Sequence, residues 1–126
     1  MRDRPETETL PGIDIADARK NLNCDWVSFK KILGTFHSQN KNGCREIEVL
    51  LEQGAIEEAR ELAHKIKGGS GYISAWRLFR EAGIMEDVCG ADNYGAAIKQ
   101  LPQFCESLDE VIDSIAGLDE PNKPIA

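Results

Sequence analysis

His64 stands in the run HKIKGGSG, where Lys65 and Lys67 follow it and Gly68, Gly69 and Gly71 come next. Each glycine inside a helix costs about 1 kcal/mol relative to alanine, so three of them in one helical segment need a reason. At about 100° per residue, Ala55, Ala59, Leu62, Ile66 and Ile73 gather on one side of their helix, and that side must face a core. His64 lies opposite, among Glu57, Arg60, Glu61, Lys67, Gly68 and Gly71 at helical spacing. The imidazole is therefore expected in solvent. On this wheel Gly69 turns toward the core and serves close packing, while Gly68 and Gly71 flank His64 on the outer face. Their missing side chains leave the ring standing clear, as though another surface must come close.

A lone histidine on a polar face is ordinarily a plain solvated side chain, and the glycines are what count against that reading. A metal-ligand role has little support. His37 is the second of two histidines and belongs to a different predicted helix, and no HExxH motif or carboxylate cluster accompanies either one.

The charges around His64 differ from those of the whole. The chain carries a net charge of −7, which argues against a nucleic-acid partner, since phosphate backbones are met by clustered positive charge. Yet Arg60, Lys65, Lys67, Arg77 and Arg80 fall in a 21-residue span whose single acidic residue is Glu61. Two readings of this cluster stay open: a solvated helix face, or a docking patch for an anionic partner.

The elements that position these residues read as helices throughout. Asp14 is placed to cap a short first helix over DIADARKNL, and Asp25 a second carrying Trp26, Phe29, Leu33 and Phe36. Ile47, Leu50 and Leu51 continue that pattern past Asn42-Gly43, which leaves one long helix or two, until Gly54. Residues 55–72 form the helix of His64. Ser74 is expected to cap a helix carrying Leu78, Ala82 and Met85, and Asp92 a last helix with Ala97, Leu101, Phe104, Leu108, Val111, Ile112 and Ile115, kinked at Pro102. No stretch alternates long enough for a strand. The expected fold is all-α: an antiparallel four-helix bundle over residues 13–116 with a short extra N-terminal helix. Residues 1–12 read as a linker-like tail and 117–126 as a polar C-terminal tail.

At 126 residues, with 41% apolar and 29% charged residues, the chain suits one domain. It has no apolar run near the ~20 residues a membrane span needs and no secretion-signal pattern at its start, so a cytoplasmic location without membrane contact is expected. Cys24, Cys44, Cys89 and Cys105 form no CxxC pair and are expected to be reduced thiols packed among apolar residues.

The run AHKIKGGSGYISAWRL resembles the signature of histidine-containing phosphotransfer (HPt) domains: a histidine, a lysine three residues on, glycine and small residues, then a leucine-bearing helix. The similarity extends to the segment from LPGIDIADARKNL through SFKKIL before it and to AGIME after it, from about Leu10 to the last helix. The resemblance implies that His64 accepts a phosphoryl group on Nε2 from a receiver-domain aspartyl phosphate and passes it to another receiver. Lys67 would stabilise the phosphoryl oxygens, and Gly68 would give the receiver room. Arg60, Lys65 and Gly71 are the further candidate docking positions. Position 86 is glutamine in some members, bonded near the histidine; here it is Glu86, with no phosphate contact assigned.

An exposed imidazole is mostly neutral at cellular pH, as a nucleophile must be. Phosphoryl transfer rests on in-line positioning and charge neutralisation, so one nucleophile and one lysine suffice if the receiver brings the Mg²⁺ site. With no ATP-binding glycine motif, the chain is expected to be a monomeric carrier and not an autonomous kinase. Such domains also end hybrid sensor histidine kinases. The rival from another class is a non-phosphorylated helical adaptor that binds a receiver-like partner through the same face.

Overall fold

A computed structural model describes residues 10–118. The expected tails at 1–12 and 117–126 lie largely outside the described residues. Within them six helices follow in order: α1 (Ile15–Leu22), α2 (Trp26–Asn40), α3 (Gly43–Glu52), α4 (Ile56–Tyr72), α5 (Trp76–Gly90) and α6 (Tyr94–Leu118). No strand occurs among the described residues; Leu10 and Ile13 form one isolated bridge.

The capping residues chosen for α1 and α2 act as expected. Asp14 accepts from the Asp17 N–H at 3.0 Å, and Asp25 from the Ser28 N–H at 2.8 Å, each satisfying a donor the first helical turn leaves open. The break at Lys41-Asn42 is real, so α2 and α3 are two helices. Gly54, at φ +78°, turns the chain between α3 and α4 as an L-residue would not readily do.

Two expected caps need correction. Ser74 has φ +58° and belongs to the turn after α4, while Ala75 holds the N-cap position of α5 without a side-chain bond. Asp92, at φ +57°, likewise sits one residue early. Asn93 is the cap of α6, accepting from the Ala96 N–H at 3.0 Å. In both places the left-handed residue that ends one helix occupies the position assigned to the start of the next. Pro102 lies inside α6, whose span runs unbroken from Tyr94 to Leu118.

α4 packs along α5, α5 along α6, and α3 against both α4 and α6, so these four helices enclose a common core; α2 also meets α6. That core is built from the residues the periodicity selects, among them Phe29, Leu33, Ile47, Ile66, Leu78, Met85, Phe104 and Leu108. Leu10 and Ile13 are buried with them, and the Ser114 hydroxyl donates to the Pro11 carbonyl at 2.7 Å, so the segment before α1 packs on the bundle.

The cysteine expectation fails for one pair. Cys44 on α3 and Cys105 on α6 form a disulfide, with their Cα atoms 5.1 Å apart, well within bonding reach. The reason lies next door: a Cβ at Gly43 would sit 2.9 Å from Leu108 Cδ2, so the glycine lets the start of α3 close on α6. Cys24 and Cys89 are free thiols, with Cys89 buried as expected.

Candidate functional site

His64 projects from the middle of α4 with 65% of its side chain exposed, while Ala59, Ala63 and Ile66 on the opposite side are fully buried. The helical wheel thus places the imidazole correctly. Gly68, one turn further, has nothing within 4 Å of where a Cβ would stand, and the surface beside the ring is open as expected. Gly69 is also as expected: its Cβ would lie 3.2 Å from the Phe36 ring, so its absence serves helix packing.

Gly71 is different. A Cβ there would come 3.2 Å from Cδ1 and Cε1 of Phe79, so this glycine makes room for the α5 aromatic, and its missing side chain has a packing role that the outer-face reading did not include. The wheel referred every position on α4 to one core direction and could not register that α5 lies along the flank.

α5 also supplies what the sequence reading left without a role. Glu86 is mostly covered, and its Oε2 lies 2.8 Å from His64 Nδ1 while Oε1 lies 3.6 Å from Lys67 Nζ. One carboxylate therefore bridges the imidazole and the ammonium. A carboxylate accepts only, so Nδ1 is the donor in this pair, and in the neutral ring the lone pair is left on Nε2. Oε1 makes no hydrogen bond and is shielded from solvent, which leaves the ammonium as its partner. Phe79, Gly83 and Glu86 recur at steps of four and three, the spacing of one helix stripe, and that stripe is the signal that could have shown α5 facing α4 beside His64.

The remaining candidates separate. Arg60 is drawn to Glu57, with Nε 3.0 Å from both carboxylate oxygens; this contact holds the Glu57 carboxyl below the ordinary range and pushes the guanidinium up. Lys65 is exposed on the other flank, beside a groove lined by Ile32, Phe36, Gly69 and Tyr72. The basic cluster is less free than its count suggests: Arg77 bonds Glu106 at 2.6 Å and Arg80 lies 3.7 Å from Glu81. Hence His64, Lys67 and Gly68 come together with Glu86, whereas Arg60, Lys65 and Gly71 each serve or face something else. Among the described residues no group of three or more His, Cys, Asp or Glu is placed to hold a metal ion.

An exposed histidine on a helix, with a lysine and an open glycine one turn on, is the arrangement the HPt resemblance implies; the covered Glu86 carboxylate beside them is what the structure adds. Comparison with family models gives a match to the Hpt domain over residues 31–120, which takes in most of α2 and all of α3 to α6. The chain belongs to the Hpt domain family. Searches of curated proteins and of solved structures gave no match. The match places this Hpt domain among the histidine phosphotransfer carriers of two-component signalling. Its first helix, α1, precedes the matched region. No described helix is long and apolar enough to cross a membrane.

Proposed function

We propose that His64 is the phosphoacceptor of a phosphorelay carrier, taking the group from the aspartyl phosphate of one response-regulator receiver and delivering it to the aspartate of another. The observation that carries this reading is the contact of Nδ1 with Glu86 at 2.8 Å on a ring that is otherwise exposed. With the proton held at Nδ1, the Nε2 lone pair attacks phosphorus. The Nε2–P bond forms as the P–O bond to the aspartate breaks, and the electron pair leaves on the carboxylate. The ring, still protonated at Nδ1, gains positive charge, and the Glu86 carboxylate offsets it. Lys67 then turns from Glu86 Oε1 to the phosphoryl oxygens. Return transfer runs the same steps backward.

In this scheme Mg²⁺ would be supplied by the partner receiver. Gly68 is the open ground on which the receiver seats. The domain is read as a cytoplasmic monomeric unit, and a hybrid sensor histidine kinase is the larger protein to which such a domain would belong. The helices α2–α3, α4, α5 and α6 are read as the legs of an antiparallel four-helix bundle, with α2 and α3 one interrupted leg. The three-residue connections 53–55, 73–75 and 91–93 support this, being too short to return the chain for parallel packing. Incubation with a phosphorylated receiver tests the function: label should appear on His64 in acid-labile, base-stable form, and ATP alone should give none. A receiver complex formed equally well by His64→Gln, with no phosphate transferred to the unaltered protein, would favour the adaptor.

A further inference from the structure

The Lys67 ammonium is held by more than Glu86. Its Nζ lies 5.5 Å from the centroid of the Phe79 ring, within the range of a cation–π contact. The stem crosses Gly83, where a Cβ would make ordinary contact with Lys67 Cδ at 3.7 Å. Phe79 is itself set by Trp76, whose ring meets it edge to face at 5.4 Å between centroids. The absent Cβ of Gly71 gives the Phe79 ring its place.

Trp76 is in turn fixed from outside the matched family region. Its indole Nε1 donates to Asp17 Oδ2 on α1 at 3.2 Å, and the Ser74 hydroxyl donates to the same oxygen at 2.6 Å. The Asp14 N–H donates to the Ser74 carbonyl at 3.0 Å, tying the start of α1 to the same turn. Ser74 takes a left-handed backbone, uncommon outside glycine and asparagine, at the point where these bonds converge.

From this chain of contacts we infer that Asp17, Trp76 and Phe79 are positioning residues for Lys67: α1 pins an aromatic shelf that keeps the ammonium beside His64. The inference rests on the carrier reading for its consequence in phosphotransfer, but not for the placement of the lysine. Without the shelf, a four-carbon stem with a strongly hydrated head would sample solvent instead of one position.

Two measurements decide it. The first is the proton NMR shift of the Lys67 ε-CH₂, which the Phe79 ring current should displace upfield. Phe79→Leu should abolish the displacement, Phe79→Tyr should retain it, and Asp17→Asn and Trp76→Leu should reduce it while His64 stays exposed. An undisplaced ε-CH₂ in the unaltered protein overturns the shelf whether or not the domain carries phosphate.

The second is a double-mutant cycle on the transfer rate. Phe79→Leu should slow transfer about two- to fivefold, the effect expected of an exposed cation–π contact, and should add nothing once Lys67 is alanine. If the two losses instead multiply, Phe79 acts on the bundle at large and not through Lys67, and the inference fails. If the unaltered protein takes no phosphate at all, the carrier reading fails, and the shelf stands or falls on the ring-current result.

Discussion

Nδ1 of His64 and Oε2 of Glu86 lie 2.8 Å apart across the α4–α5 interface, the imidazole exposed and the carboxylate largely covered. The relationship makes Nδ1 the donor and, in the neutral ring, leaves the lone pair on Nε2. Glu86→Gln keeps an acceptor for Nδ1–H but removes the charge that, in the proposed scheme, would offset a phosphorylated ring. Single-turnover transfer should slow by about fivefold, the difference between a charge-assisted and a neutral hydrogen bond. Glu86→Ala should cost more, and ¹⁵N NMR of the ring should report loss of the single Nδ1–H tautomer. Equal rates for all three proteins would remove Glu86 from the mechanism.

Gly68 and Gly71 are expected to respond differently. Gly68→Gln meets nothing in the fold and improves helix propensity by up to about 1 kcal/mol, so the domain should be as stable as before while receiver affinity and transfer fall. Gly71→Ala brings a methyl to 3.2 Å from Phe79, which must shift to admit it, so the variant should forfeit most of the propensity gain and melt below Gly68→Gln even though it is the smaller change. Chemical denaturation and receiver titration of the two variants separate the roles.

That contrast marks where the sequence is legible. The outer face of α4, the exposure of His64 and the inward turn of Gly69 follow from one helical period and one core direction, though not the Phe36 ring that Gly69 meets. Gly71 and Glu86 do not, because both depend on how α5 lies against α4. The disulfide is hidden for the same reason: Cys44 and Cys105 are 61 residues apart, and only the close approach of α3 to α6 brings them together. Ser74 and Asp92 misled because a polar residue at a helix junction can end one helix as readily as begin the next.

Asp17 should give the domain a pH dependence on the acid side. The Ser74 hydroxyl, with Trp76, Asn21 and Lys20, holds its carboxyl below the ordinary value of 3.8. A depressed folded-state value means that the ionised, bonded carboxylate adds stability above the unfolded value, and that this is lost as pH falls through the folded one. The melting temperature should therefore decline below about pH 4 in the unaltered protein, and less steeply in Asp17→Asn. Parallel curves would show that Asp17 is not ionised in this network.

Reduction should weaken the bundle. A bridge closing a loop of this length contributes about 2–4 kcal/mol, so dithiothreitol or Cys44→Ser should lower the melting temperature by roughly 10 °C or more. Alkylation before reduction should find Cys24 more readily than Cys89, whose thiol is pushed up by burial and is covered in the fold. Four alkylated cysteines in the unreduced protein would show that the bridge is open in solution.

The most direct test of the account is transfer from a phosphorylated receiver to the unaltered protein and to His64→Gln, followed by site mapping. The expected result is one phosphate per chain, labile in acid and stable in base, located on His64 and absent from the variant, with none acquired from ATP alone. Label on His64→Gln at the level of the unaltered protein, or on any other residue, would contradict it.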